Sequence, residues 1–393
     1  MPAPYPDFSW TRADQRYAQL DPSGSPVLYQ STGDARYLPS LAQMSQLIKF
    51  QVAAGKVAGG ISDAEIIVCG DSIGAGSYNP SYLTQPPVGS FVAKLVAELA
   101  AISPLGVMHG RTVVCPQANV GADPDARFAI VDDWVRGGLG FGDGSTMTST
   151  TSGASTEFTF TPGFEAFDVA DVIMLTAASG LGTVIATPTG AAGTTLNTGT
   201  GPAGRSTITI TAASSSISNT IKLKHSAGGI VYMESIVTRR SASKNILVGN
   251  CCRPSSESSD WNQTGIYQSI ESIKYAAPAL TIFEIGENDA RLGRSVADYI
   301  TNMSALITAA QISGDVILIT PPPSSDPVTF ANQPAFVAAM KQLGATFGCP
   351  VFDFFSAFAS TWQTTLMADS LHPNDYGHAK MARELAWFLR GCL

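Results

Sequence analysis

The chain is 393 residues long, 45% hydrophobic and 14% charged, with 37 glycines, 24 prolines and a formal net charge of -8. The apolar share is ordinary while the charged share lies well below the ~25% of an average globular domain, which excludes an intrinsically disordered acidic chain. A net negative charge also argues against a broad phosphate-neutralising surface, so nucleic acid is not an expected partner.

Length predicts two or three domains. No apolar run reaches the ~20 residues that cross a bilayer, and the opening MPAPYPDFSWTRADQRYAQL lacks the basic start and apolar core of a signal peptide. Neither a membrane partner nor export through a leader is expected. The first sixty residues read as an N-terminal arm for attachment or oligomerisation: Asp14-Gln15-Arg16-Tyr17 recurs as Asp34-Ala35-Arg36-Tyr37 in a polar, turn-rich segment. Leu41, Met44, Leu47, Ile48 and Val52 are then expected along one face of a helix. The alternative for this arm is a terminal extension packed on its own domain.

From residue 61 the texture becomes α/β. A continuously apolar strand, Glu65 to Asp71, precedes an amphipathic helix, Ser90 to Ala101. After a long interruption come strands at Asn245 to Cys251, Ala279 to Gly286, Asp315 to Thr320 and Val351 to Phe355. Helical patterns lie at Gly265 to Ala276, Val296 to Ala310, Pro334 to Ala345 and Tyr376 to Arg390. Alternation of this kind predicts a parallel sheet with helices on both faces, a flavodoxin-like three-layer α/β/α domain over 61–140 and 241–393. The interruption, 141–240, holds Arg205 as the only basic residue between Arg136 and Lys222. Its short alternating runs, Glu157 to Phe160 and Thr207 to Thr211, predict an inserted all-β module of sandwich or jelly-roll type. Six cysteines, at 69, 115, 251, 252, 349 and 392, show neither metal-ligand spacing nor a dense disulfide framework, as expected of a chain folded in a reducing cytosol.

Three segments carry chemistry. Strand Glu65 to Cys69 ends in Gly70-Asp71-Ser72-Ile73-Gly74-Ala75-Gly76, which sets a hydroxyl between glycines at the carboxyl end of a buried strand, where ligands bind in open α/β sheets. Asp369-Ser370-Leu371-His372-Pro373 precedes the last helix; a spacing of three lets the Asp369 carboxylate fold back onto the His372 imidazole and select its tautomer. Gly286-Glu287-Asn288-Asp289 closes strand ALTIFEIG and can aim an amide donor into the same crevice. Each has a plainer reading as a helix or turn cap. A metal site built from Asp369, His372 and His378 is conceivable, but nothing else supplies ligands, and no metal is expected.

Taken together and in this order, GDSIGAG, GEND and DSLHP resemble the SGNH (GDSL-type) hydrolases, a family of esterases, over roughly residues 61 to 140 and 241 to 393. The resemblance implies Ser72 as nucleophile, His372 as general base and then acid, Asp369 as its orienting partner, and the Ser72 N–H and Asn288 amide as oxyanion donors. The family's remaining block, an Asn-x-Gly-x-x-Gly turn, is matched by Asn250 to Trp261, where the oxyanion glycine is replaced by Ser255. A backbone N–H from serine serves if its φ and ψ are tolerated; Gly121 is the alternative. No cofactor is implied. A β insertion at this place is similar to those of SGNH enzymes that deacetylate polysaccharides, and implies an O-acetylesterase, with Tyr78 and Trp261 offering aromatic faces to sugars. The Asp-x-Arg-Tyr arm is similar to segments of bacteriophage tail fibres and tailspikes, which implies a homotrimeric virion tail protein, folded in the host cytosol, that removes O-acetyl groups from capsule or O-antigen. Two further classes stay open: a non-catalytic receptor-binding protein on a hydrolase fold, and a cytoplasmic bacterial esterase or thioesterase on small acyl substrates.

Overall fold

The computed structural model describes residues 41–77, 89–113, 128–130, 134–153, 157–160, 166–213, 220–358 and 365–393. Sixteen strands follow one another along them. In the first half these are β1 (Ala64–Gly70), β2 (Gly106–Val113), β3 (Phe128–Ile130), β4 (Trp134–Gly137), β5 (Thr146–Ser149), β6 (Glu157–Phe160), β7 (Val169–Thr176) and β8 (Gly182–Pro188). The second half holds β9 (Thr194–Asn197), β10 (Gly204–Thr211), β11 (Ile221–Gly228), β12 (Val231–Arg239), β13 (Asn245–Asn250), β14 (Leu280–Glu284), β15 (Asp315–Thr320) and β16 (Val351–Asp353).

Six of them form the parallel heart of the molecule in the order β2-β13-β1-β14-β15-β16. β1 is buried along almost its whole length, as a parallel strand covered on both faces must be. Successive side chains of a strand point to opposite faces. Ile67 and Cys69 of β1, with Phe283 and Leu318, join Ile273, Met303, Leu306, Phe336 and Met340 of helices Ser269–Ala276, Val296–Ala310 and Pro327–Phe347 in one core. Helices Ile48–Ala58, Phe91–Ile102 and Asp375–Arg390 complete the opposite layer, the last two packed against each other. Their starts are set by side-chain caps: Ser90 Oγ accepts the Ala93 N–H at 3.1 Å, and Asn374 Oδ1 the Gly377 N–H at 3.0 Å. No helix among the described residues is long and apolar enough to cross a membrane.

The β-rich stretch forms the expected inserted all-β sandwich, and one of its two sheets continues the central sheet. β12 pairs antiparallel with β2, β7 with β12 and β10 with β7, so the central sheet simply continues outward, and β5 pairs with β12 and β4 with β5. The remaining strands form a second, antiparallel sheet in the order β3-β6-β11-β8-β9. Val184, Ala186, Ile221 and Leu223 of that sheet pack on Ala170, Val172, Ile208 and Ile210 of the first, closing a sandwich. The expected edges at 141 and 240 therefore fall inside continuous pairing: β4 lies before 141 yet pairs with β5 after it. Backbone hydrogen bonding runs across a boundary that composition marks only as a loss of charge.

Two further expectations are corrected. Helix Ile48–Ala58, expected within the arm of the first sixty residues, lies instead in the compact unit that runs from Pro39 to Leu393. The helix is held there: Phe50 is fully buried and its N–H donates to Asp315 Oδ2 at 2.8 Å, while Lys49 Nζ donates to the Gln311 carbonyl at 2.6 Å. Its buried stripe is Leu47, Phe50, Ala54 and Val57, while Ile48 and Val52 are more than half exposed. The Asp-x-Arg-Tyr repeat lies outside the described residues. The helix expected from Pro334 begins at Pro327, capped by Asp326 Oδ2 accepting the Thr329 N–H at 2.8 Å, and carries Pro334 in its interior. A proline at the first helical position costs no hydrogen bond, so Pro327 starts the helix and Pro334 is the interior exception.

Candidate active site

The site is built where β1, β13 and β14 end. β1 runs into a one-turn helix, Ser72–Ala75, whose start is held by Asp71 Oδ1 accepting the Ile73 N–H at 2.9 Å. The turn is tightly seated. A Cβ at Gly74 would lie 2.3 Å from Cys252 Sγ, and one at Gly70 would lie 2.7 Å from the Glu284 carbonyl oxygen. Glycine is required at both places by close approach. The turn is also tied to the block after β13: the Arg253 N–H donates to the Gly70 carbonyl at 2.9 Å, and Asn250 Nδ2 to the Gly74 carbonyl at 3.1 Å.

Ser72, His372 and Asp369 come together across 300 residues of sequence. His372 Nε2 lies 2.9 Å from Ser72 Oγ, and His372 Nδ1 lies 2.9 Å from Asp369 Oδ2. Asp369 Oδ1 accepts the backbone N–H groups of Leu371 and His372, each at 2.7 Å, so the spacing of three closes a turn as well as orienting the ring. An ionised carboxylate only accepts, hence Nδ1 carries the proton and Nε2 is free to accept from the Ser72 hydroxyl. Burial pulls the His372 pKa below its ordinary value, although the hydrogen bond and charge of Asp369 oppose this. Burial would raise the Asp369 carboxyl, but its two backbone N–H donors and the imidazole outweigh that and hold it low. Such an arrangement keeps a neutral base beside an ionised acid at neutral pH.

Asn288 opens the helix Glu287–Arg291 after β14. Its amide is fixed at both ends: Nδ2 donates to the Ser256 carbonyl at 3.0 Å and Oδ1 accepts from Arg291 Nε at 3.3 Å. One Nδ2 hydrogen remains beyond the bond to Ser256. Ser255 sits in the turn after β13 with φ 63°, a left-handed conformation that favours glycine. It and Ala277 are the two non-glycine residues with positive φ among the described residues. A glycine would adopt this conformation without the strain that a side chain brings.

Trp261 does not offer a face to sugars. It is fully buried in the core beneath the site, and its Nε1–H donates to Ser256 Oγ at 3.0 Å, so it supports the turn that carries Ser255. An aromatic closing a motif has no sequence mark that distinguishes support from platform. Tyr78 and Gly121 lie outside the described residues. His378 is fully buried in the last helix, its pKa pulled down to about 3 by burial, and it joins no metal-binding group with Asp369 and His372.

Sequence reasoning missed the carboxyl groups around the Ser72 turn. Asp71, Glu284 and Glu287 are all buried; Glu284 Oε2 accepts the Gly74 N–H at 3.2 Å and Glu287 Oε2 accepts Gln333 Nε2 at 2.5 Å. Burial raises all three, Asp71 to about 7, so their protonated forms are favoured. Also missed was Asp289, which anchors Ser258 through 2.6 and 3.0 Å hydrogen bonds to its hydroxyl and N–H. A Glu inside the run TIFEIG was the one available signal, since a charged residue in a buried strand needs a partner.

Residues 238–380 match the family model described as GDSL-like Lipase/Acylhydrolase. No curated protein sequence matches the chain. Among solved structures, a peptidoglycan O-acetylesterase shares the fold with a TM-score of 0.63 at 14% identity, covering 89% of this chain and 96% of that one. A lipase/acylhydrolase from Enterococcus faecalis aligns at 23% identity over 37% of this chain and 76% of that one, with a TM-score of 0.33. A family two carbohydrate esterase from Cellvibrio japonicus aligns at 14% identity over 68% and 96%, with a TM-score of 0.29. GDSIGAG, GEND and DSLHP each stand at a strand end, and the last two lie within residues 238–380, over which the chain is similar to the GDSL-like lipases and acylhydrolases; the match supports carboxylic ester hydrolase activity.

Proposed function

We propose that the chain is a serine O-acetylesterase acting on carbohydrate. The observation that carries this reading is the continuous hydrogen-bonded line from Asp369 through His372 to Ser72. His372 Nε2 takes the Ser72 proton as Oγ attacks the ester carbonyl; the N–H groups of Ser72 and Ser255 and the Asn288 amide receive the oxyanion. Collapse expels the sugar hydroxyl, which takes the proton back from His372. Water, deprotonated by the same nitrogen, then releases acetate from the acyl-enzyme. No cofactor enters these steps. Acetyl as the acyl group and carbohydrate as the alcohol are supported by the fold shared with a peptidoglycan O-acetylesterase.

Hydrolysis of p-nitrophenyl acetate by the wild type and by Ser72→Ala tests the nucleophile: turnover is expected to vanish in the variant, and equal rates would sink the assignment. Acetate release from a panel of acetylated bacterial polysaccharides, set against cleavage of acyl-CoA, tests the substrate class. The finer reading is an O-acetylated capsule or O-antigen as substrate, and a homotrimer carried on a virion tail through the N-terminal segment. Its support is the repeated Asp-x-Arg-Tyr sequence alone. A monomeric mass in solution would remove that support.

A further inference from the structure

The last residue of β14 reaches into the turn that carries the nucleophile. Glu284 stands opposite Gly70 in the parallel register of β14 on β1, and it is fully buried. Its Oε2 occupies space that two absent side chains leave: a Cβ at Gly70 would lie 2.8 Å from it and one at Gly74 3.3 Å. From there it accepts the Gly74 N–H at 3.2 Å. The first N–H groups of a helix have no partner inside it. In the turn Ser72–Ala75 the Ile73 N–H goes to Asp71 Oδ1 at 2.9 Å and the Gly74 N–H to Glu284, while the Ser72 N–H makes no hydrogen bond among the described residues. Two carboxyl groups thus claim the next two donors and leave that of Ser72 for an oxyanion.

We infer that Glu284 is a positioning residue for the nucleophile: by holding the Gly74 N–H from within the fold, it fixes the turn in the orientation that presents the Ser72 N–H and Oγ to the reacting carbonyl. The inference rests on Ser72 as the nucleophile, and Glu284 acts on the reaction through the turn alone. The role calls for an uncharged side chain. Burial pushes the Glu284 carboxyl well up, Asp71 and Glu287 push it further, and the Asp71 and Gly74 N–H groups oppose them. The charged and titratable groups around it are Asp71 in the turn, Glu287, Asp289 and Arg291 on the helix after β14, and Tyr299 on helix Val296–Ala310; only Arg291 among them is a cation. One oxygen on each of Asp71, Glu284 and Glu287 is buried without a hydrogen-bond partner. An ionised Glu284 would set a negative charge behind the position where the oxyanion develops, and the two would repel in a site that water screens poorly. Glutamine is the matched replacement, because its carbonyl accepts the same N–H and cannot ionise; leucine fills similar space and cannot accept.

The test compares p-nitrophenyl acetate hydrolysis by the full-length wild type, Ser72→Ala, Glu284→Gln and Glu284→Leu, each checked for a cooperative unfolding transition. Glu284→Leu is expected to lose about 10- to 100-fold in kcat, the scale of a misplaced catalytic group, with KM within about twofold of the wild type. Glu284→Gln is expected to recover most of that loss at neutral pH and to hold its kcat at alkaline pH, where the wild type declines. Wild-type kcat in Glu284→Leu, or a loss in Glu284→Gln as large as in Glu284→Leu, overturns the positioning role. So does the absence of an alkaline decline in the wild type, or the same decline in Glu284→Gln, and this comparison decides the matter if Glu284→Leu does not fold. Wild-type turnover no faster than that of Ser72→Ala would sink the nucleophile and Glu284 with it, whereas faster turnover that Glu284→Leu leaves intact would sink Glu284 alone.

Discussion

His372 must be neutral to accept the Ser72 proton, and burial lowers its pKa. The protonated, inactive imidazole therefore accumulates only at lower pH than for a free histidine, and the acidic limb of kcat/KM is expected below the ordinary value of about 6.5. A limb at or above that value in a pH-rate profile would contradict the buried, neutral ring. Asp369→Asn removes the acceptor that selects the tautomer, and kcat is expected to fall by about 10²–10⁴. Ser255 makes the opposite kind of prediction. Its left-handed φ costs a non-glycine residue roughly 1 kcal/mol, so Ser255→Gly should raise thermal stability while p-nitrophenyl acetate hydrolysis persists. A lower midpoint in Ser255→Gly would show that the serine side chain offsets its own strain. At this scale Ser72, His372, Asp369 and Asn288 were legible because each stands in a short motif at a strand end. The burial of Trp261 was not, since exposure of an aromatic is decided by neighbours far away in sequence.

At the level of elements, the nucleophile turn shows how closely β1 and the block after β13 fit. Gly74 has no room for a methyl group because Cys252 fills the space, its thiol donating to the Val68 carbonyl at 3.5 Å. Gly74→Ala is expected to destabilise the protein by about 1–3 kcal/mol through overpacking, measured by denaturant unfolding. A neutral effect would mean that the turn is looser than its contacts imply. This contact also gives Cys252 a role, as packing beneath the turn, and Cys251 beside it is likewise buried with its thiol pKa raised by burial. Strand and helix order was readable from period and apolar runs. The start at Pro327 was obscured by a second proline seven residues on, because both read as breakers until the Asp326 cap is seen.

Across the whole molecule, a buried ion pair inside the antiparallel extension also hydrogen-bonds the helix Ser269–Ala276 of the α/β layer. Arg205 on β10 and Glu234 on β12, with side chains 2% and 1% exposed, meet at 2.7 Å; Arg205 also donates to the Ile266 carbonyl and the Ser272 hydroxyl at 2.8 Å. The lone basic residue of the charge-poor stretch is thus spent on a contact between β strands and a helix of the catalytic half. Arg205→Ala leaves Glu234 buried without its partner and is expected to cost about 3–5 kcal/mol. Because β2 and β12 share one sheet, residues 39–393 are expected to unfold in a single calorimetric transition; two separated transitions would show that the extension folds by itself.

By itself the sequence determined which residues are candidates for the chemistry and their order along the chain. A nucleophile turn, an amide donor and an acid–base pair each depend on residues within a few positions of one another, and local spacing is visible in one dimension. Only the tertiary structure decided that the β-rich stretch continues the central sheet and that Trp261 lies buried beneath the turn carrying Ser255. Those outcomes depend on which strands exchange hydrogen bonds and which side chains cover one another. Such pairings are set by packing between segments a hundred or more residues apart, and composition carries no record of them.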